Sequence, residues 1–237
     1  MAFDIAPAQH RVASNCGACP VQGCPARCAE TQISWRSMVS QLPSQMPGRG
    51  TMVEAGGRLP ALFSVRAGCV KTYSIDTDGN EHVRAFHFPG DLVGLDALGS
   101  DRAPAATAPV APSQVCAVSA DEVLQRLKTD AGLATHLLGK TREALRQALA
   151  LSGEFTADQR VAAFLLYVHA RIGHGDVVRL PMTRREMGSY LRLATETVCR
   201  VLTRFENRGW IVSADKRITL LDRDAIRELA NPVGMTA

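Results

Sequence analysis

Residues 181–205 read PMTRREMGSYLRLATETVCRVLTRF, and the spacing within them sets an architecture. Thr183-Arg184-Arg185-Glu186 puts a hydroxyl and a carboxylate three residues apart. In that pattern each side chain satisfies the other's backbone N–H at a helix start. It predicts a helix to about Leu191, a short turn at Arg192-Leu193-Ala194, and a second helix over 195–208 stopping at Gly209. In the second helix Val198, Val201, Leu202 and Phe205 follow the i, i+3, i+4, i+7 spacing of a buried stripe. Glu196, Cys199, Arg200 and Thr203 fall on the opposite side. Two short strands, 210–213 and 217–221, flank the turn Ala214-Asp215-Lys216. Helix, three-residue turn, helix and hairpin make a winged helix-turn-helix.

Charge agrees with that reading. Residues 179–237 hold 11 Lys and Arg against 7 Asp and Glu, whereas the preceding 178 residues carry 16 of each sign. The whole net charge of +4 therefore lies in the last quarter, the electrostatic footprint of a nucleic-acid binder. Charge alone favours a solvated basic face; the capping box, turn length and apolar stripe decide for DNA. Arg200 can grip guanine O6 and N7, and Glu196 can accept from a cytosine amino group. At i, i+4 the two can also pair with each other. Arg184, Arg185, Arg204 and Lys216 are placed to touch phosphates.

Upstream the pattern changes. Between residues 50 and 118 short runs such as LFSVRAG, CVKTYSID, HVRAFHFPGDLVG and VCAVS read as strands joined by tight turns, with a hairpin at Asp78-Gly79-Asn80. This spacing suggests an all-β roll or barrel. Residues 103–112, APAATAPVAP, read as a loop with little ladder bonding. Helical periodicity follows over 121–128, 132–152 and 158–170, the last burying Val161, Phe164, Leu165 and Val168. Along 132–152 a narrow seam of Leu138, Leu145, Ala148 and Leu149 either packs within its own domain or meets a second chain.

Four of the seven cysteines fall in CGACPVQGCPARC, residues 16–28; the others are Cys69, Cys116 and Cys199. The chain starts without a basic region and apolar run, and no stretch is apolar enough to span a bilayer. The expectation is a cytoplasmic protein, where clustered thiols bind metal or do redox chemistry more often than they form disulfides. Cys16-x-x-Cys19 with two nearby thiols leaves zinc, an iron–sulfur cluster, a redox dithiol and an unliganded leader open. Cys69 reads as a small core residue within a strand, and Cys199 as an outward side chain. Gly90–Ser100 lacks the Lys-Ser/Thr of a phosphate loop, and the six histidines are scattered with no catalytic arrangement. No enzyme is expected.

Four strings carry a resemblance: FHFPGDLVGLDALGS (86–100), VCAVSADEVL (115–124), RVAAFLL (160–166) and PMTRREMGSYLRLATETVCRVLTRF (181–205). In this order they resemble the Crp/Fnr regulators over nearly the whole chain, and within them the oxygen-sensing Fnr branch. The resemblance implies an α+β protein: an N-terminal β-roll sensor domain of the cyclic-nucleotide-binding type, a long dimerisation helix and a C-terminal winged helix-turn-helix. The corresponding boundaries are 1–29 for the cysteine-rich segment, 30–131 for the roll, 132–155 for the dimerisation helix and 156–237 for the DNA-binding domain.

The family's cyclic-AMP binders carry a Glu and an Arg-Ser pair after the roll's Gly-rich turn. Here Gly94-Leu95-Asp96 and a Pro/Ala-rich stretch stand there, so no cyclic nucleotide is expected. Thr195 stands where the catabolite-activator type has an Arg. The Fnr-type head Glu-x-x-Ser-Arg is matched by Glu196, Cys199 and Arg200, with cysteine for serine. The candidate DNA contacts are thus Thr183, Arg184, Thr195, Glu196, Cys199 and Arg200. Fnr-type sensors hold an oxygen-labile [4Fe-4S] cluster on three N-terminal cysteines and one after the roll. The resemblance assigns these to Cys16, Cys19, Cys24 and Cys116, with Cys28 as the alternative third ligand. It further implies a homodimer on a two-fold DNA operator resembling TTGAT-N4-ATCAA, contact with RNA polymerase through the hairpin at 74–81, mainly activation, and no membrane association. The alternative reading keeps the regulator but uses the thiols as a zinc site or disulfide switch.

Overall fold

The computed structural model describes residues 39–41, 50–59, 61–100, 102–151 and 153–231. The cysteine-rich segment 16–28 lies outside them. The chain packs as two units, one running to Thr141 and one from Arg142.

The first unit is a β-roll. Its strands are β1 (Val39–Gln41), β2 (Ala61–Ala67), β3 (Val70–Ile75), β4 (Glu81–His87), β5 (Leu92–Val93), β6 (Ala106–Pro109) and β7 (Gln114–Ser119). They form a four-stranded sheet in the order β1-β7-β2-β5 and a three-stranded sheet in the order β4-β3-β6, all antiparallel. Leu62, Phe63, Val65, Val70, Val93 and Val115 are buried in one core. Helix α1 (Ala120–Leu127) starts where the Ser119 hydroxyl accepts the Glu122 amide at 3.3 Å. Helix α2 (Ala131–Ala150) adds Leu133 and Leu137 to the same core, and Lys140 Nζ donates to the Gly90 carbonyl at 3.1 Å.

The expectation of a loop over 103–112 is wrong. Ala106–Pro109 forms β6, with Ala106, Thr107, Ala108 and Pro109 in register with Tyr73, Thr72, Lys71 and Val70. Strand β6 sits at the edge of its sheet, where proline's missing N–H deprives no further strand of a bond. The alanines are short enough to be buried there. The far side of β6 is still covered, since the Thr107 amide donates to the Val53 carbonyl at 2.9 Å. Cys69 is fully buried as expected, but in the tight turn between β2 and β3 rather than in a strand.

The β3–β4 hairpin is organised by one carboxylate. Asp76 accepts from the Asp78 amide at 3.0 Å, the Asn80 amide at 2.8 Å and His82 Nε2 at 2.7 Å. The His82 bond and the Asn80 amide hold the Asp76 carboxyl down at about 2, from an ordinary 3.8. A carboxyl with a lowered folded pKa orders the turn above its unfolded pKa and releases it as pH falls through the folded value. NMR titration of Asp76 is expected to give about 2 in the native protein, and a value nearer the ordinary range in His82→Ala.

The second unit opens with α3 (Ala157–Ile172), capped reciprocally by Thr156 and Gln159. Val161, Phe164, Leu165 and Val168 are buried, as the periodicity requires. Then come β8 (Val177–Arg179), α4 (Arg184–Leu191), α5 (Thr195–Asn207), β9 (Ile211–Ala214), β10 (Arg217–Leu220) and α6 (Arg223–Ala230). The three strands lie in the order β8-β10-β9, so the wing has one strand more than the sequence pattern suggested. Among the described residues no helix is long and apolar enough to cross a membrane.

Candidate nucleic-acid interface

Helix α4 starts on the expected box. The Thr183 hydroxyl accepts the Glu186 amide at 3.2 Å, and the Thr183 amide donates to Glu186 Oε2 at 2.8 Å. It ends at Arg192, whose φ of 56° is left-handed and reverses the chain. The turn then folds back on Gly188: the Leu193 amide donates to the Gly188 carbonyl at 2.9 Å. A Cβ on Gly188 would lie 2.7 Å from the Leu193 carbonyl oxygen, so only glycine admits this approach.

That turn delivers α5 with Val198, Val201, Leu202 and Phe205 buried. Glu196, Cys199, Arg200 and Thr203 are exposed together on the other face. Thr195 opens the helix, half-buried, and Ala194 precedes it without a side-chain cap. Arg200 Nη2 donates to Thr197 Oγ1 at 3.4 Å rather than to Glu196, so both charged groups of the reading face point outward unpaired with each other.

The basic residues expected on phosphates behave differently from one another. Arg185 is exposed. Arg204 is bound to Asp158 at the start of α3, with Nε 3.3 Å from Oδ2. Lys216 Nζ reaches the Pro181 carbonyl at 3.4 Å. Arg184 is half-buried: Nη2 donates to Ser213 Oγ at 3.2 Å, while Nη1 is buried without a partner. Ser213 was invisible in the sequence, because nothing in a 29-residue separation marks a contact.

Cys116 is the one described member of the expected metal-binding set. It is buried on β7, paired in register with Ser64 of β2 and Gln41 of β1. Cys24 precedes Gln41 by 17 residues, a length that can span up to about 55 Å. A soft thiol in an apolar wall, beside the strand that continues from the N-terminal cysteines, suits an iron–sulfur or zinc ligand. Among the described residues no group of three metal-ligating side chains is assembled.

Residues 159–229 match the Crp-like helix-turn-helix domain and residues 47–130 the cyclic nucleotide-binding domain. The fumarate and nitrate reduction regulatory protein of Escherichia coli (strain K12) is 32% identical over 187 residues, covering 76% of this chain and 75% of that protein. This chain belongs to the Crp/Fnr family of transcription regulators. Transcriptional activator protein FnrA of Stutzerimonas stutzeri is also 32% identical, over 76% of this chain and 77% of its own. The structure of FixK2 from Bradyrhizobium japonicum superimposes with a TM-score of 0.74 at 28% identity, covering 81% of this chain and 96% of that one. Membership makes the chain a DNA-binding transcription regulator rather than an enzyme, and regulators of the Crp/Fnr family act as dimers.

For this regulator the tight Gly188 contact has a measurable consequence. Gly188→Ala is expected to destabilise the DNA-binding unit by about 1–3 kcal/mol through overpacking against backbone. Thr183→Ala should cost about 1 kcal/mol through the lost cap. Urea unfolding of the two variants checks both.

Proposed function

We propose that this Crp/Fnr regulator is an oxygen-responsive transcription factor, chiefly an activator, whose cysteines hold a [4Fe-4S] cluster. The observation that carries the sensing half is Cys116, buried on a central strand next to the strand leading back to the N-terminal cysteines. Cys16, Cys19, Cys24 and Cys116 would be the ligands, with Cys28 in reserve for Cys24. The relatives named for fumarate and nitrate reduction support the reading at 32% identity. A bound cluster supplies a centre that oxygen dismantles, and so a signal. No cyclic nucleotide is expected to take part, because Gly94-Leu95-Asp96 and a Pro/Ala-rich stretch stand where the family's cyclic-AMP binders carry a Glu and an Arg-Ser pair.

The protein's own residues do the rest. Leu138, Leu145 and Leu149 stand exposed on α2, their apolar side chains in water in the single chain. Burying them against a second copy forms the homodimer and doubles the reading head. Glu196, Cys199 and Arg200 of each protomer then read one half of a two-fold site resembling TTGAT-N4-ATCAA. Thr183 and Thr195 flank the same groove, and Arg184 lies beneath them with Nη2 on Ser213 Oγ. The hairpin at 74–81, where Ile75 is exposed, is the surface for RNA polymerase.

Anaerobic purification is expected to yield a brown protein with about four irons per chain, colourless after air. Cys116→Ser should lose the iron and the colour. A colourless, iron-free anaerobic product overturns the cluster, and stoichiometric zinc in its place establishes the zinc reading.

The α2 seam has its own test. Leu145→Glu with Leu149→Glu should convert dimer to monomer in sedimentation and remove tight binding to the two-fold duplex. A doubly substituted dimer would place the interface elsewhere.

A further inference from the structure

The wing is held by side chains from both helices of the reading motif. Arg184, the first residue of α4, runs to the sheet, where Nη2 donates to Ser213 Oγ at 3.2 Å. The Ser213 amide in turn donates to Glu206 Oε1 at 3.0 Å, near the end of α5. Ser213 lies inside β9, opposite Ile218 of β10, so it belongs to the wing's own ladder. One residue thus carries a bond from α4 on its hydroxyl, a bond from α5 on its amide, and the register of the hairpin. Burial pushes the Arg184 guanidinium down from its ordinary value, and Cys199, Glu206 and Asp215 push it back up. Its surroundings therefore include both α5 and the wing turn. A freely mobile phosphate contact would keep its guanidinium in water; this one is half-buried and engaged.

We propose that Arg184, Ser213 and Glu206 form a lock that fixes the wing against the recognition helix. Ser213 and Glu206 thereby become positioning residues for DNA recognition, although neither lies on the exposed reading face. The lock rests on the DNA-reading role of α5. It deepens that role by making the wing and reading head one body, so that docking the helix in the groove also places the wing's backbone at the flanking phosphates. Both bonds have a charged partner, which makes them stronger and more directional than neutral ones.

The intact anaerobic protein is titrated with two short duplexes, one carrying TTGAT-N4-ATCAA and one with that sequence scrambled, over a series of KCl concentrations. Hydrogen exchange of the wing, residues 211–220, is followed in the DNA-free protein. Ser213→Ala is expected to speed wing exchange and to weaken binding to the two-fold duplex roughly three- to tenfold, the range of one lost hydrogen bond. The slope of log affinity against log salt should stay as in wild type, because no phosphate contact is removed. Glu206→Ala should act in the same direction, and Ser213→Thr, which keeps the hydroxyl, should restore both readouts. Ser213→Ala added to Arg184→Ala should speed wing exchange no further. Wild-type exchange and affinity in Ser213→Ala would overturn the lock. So would a salt slope reduced by about one contact in that variant, since the hydroxyl would then serve a phosphate directly. Equal wild-type binding to both duplexes would overturn the operator reading, and the exchange measurement would still decide the lock by itself.

Discussion

A thirteen-residue helix can hold a polar face toward a ligand only while its other face is buried, and α5 shows how much of the domain exists to meet that condition. Val198, Val201, Leu202 and Phe205 are each worth about 1.5–3 kcal/mol in removal from water. What receives them is a platform made by α3, α4 and the wing. Phe205 stacks at a tilt on Trp210, with ring centroids 5.5 Å apart, and Phe164 of α3 meets Tyr190 of α4 at the same distance. Polar bonds then fix rotation and slide. Arg160 of α3 spends its guanidinium on the carbonyls of Phe155, Leu191 and Gly153, each at 3.1 Å. The Leu191 carbonyl is the last of α4, just before the turn that aims α5, so one side chain ties α3 to the hinge of the reading motif. Asp158 does the same for α5 through Arg204.

The legible parts were those written in short-range spacing. The Thr183–Glu186 box, the α5 stripe and the Asp78-Gly79-Asn80 turn depend on residues within one or two turns of each other, and all three stand in the structure. Strand β6 was missed because composition argued against it, while edge position and burial of its alanines argued for it. Strand β8 has three residues, too few to show a period. The Arg204–Asp158 and Arg184–Ser213 bonds join residues 46 and 29 positions apart. Without them the sequence could only sort cations by type, and it sent Arg184 and Arg204 to phosphates alike. Folding separates them: one is bound at the base of α3 and the other under the wing.

Helix α2 carries two apolar stripes with different destinations. Leu133 and Leu137 belong to the roll's core, where burial is complete or nearly so within one chain. Leu138, Leu145 and Leu149 remain in water. Leu137 and Leu138 are adjacent in sequence and about 100° apart around the helix, so the two stripes lie on different faces of α2. The anchoring of α2 by Lys140 on the Gly90 carbonyl is likewise internal to the roll.

The three described cysteines differ in what a negative charge on sulfur would cost them. Cys69 is completely enclosed, its sulfur 3.9 Å from the Val70 carbonyl oxygen, an acceptor that suits a thiol and repels a thiolate. Cys199 is exposed on the reading face, where water solvates either form. Cys116 lies between these cases, buried among apolar neighbours but on the strand bordered by β1. A thiolate there is tolerated only next to a cation that stays with it. The proposed ligation at Cys116 would need partners from outside the described residues, among which no group of three metal-ligating side chains is assembled.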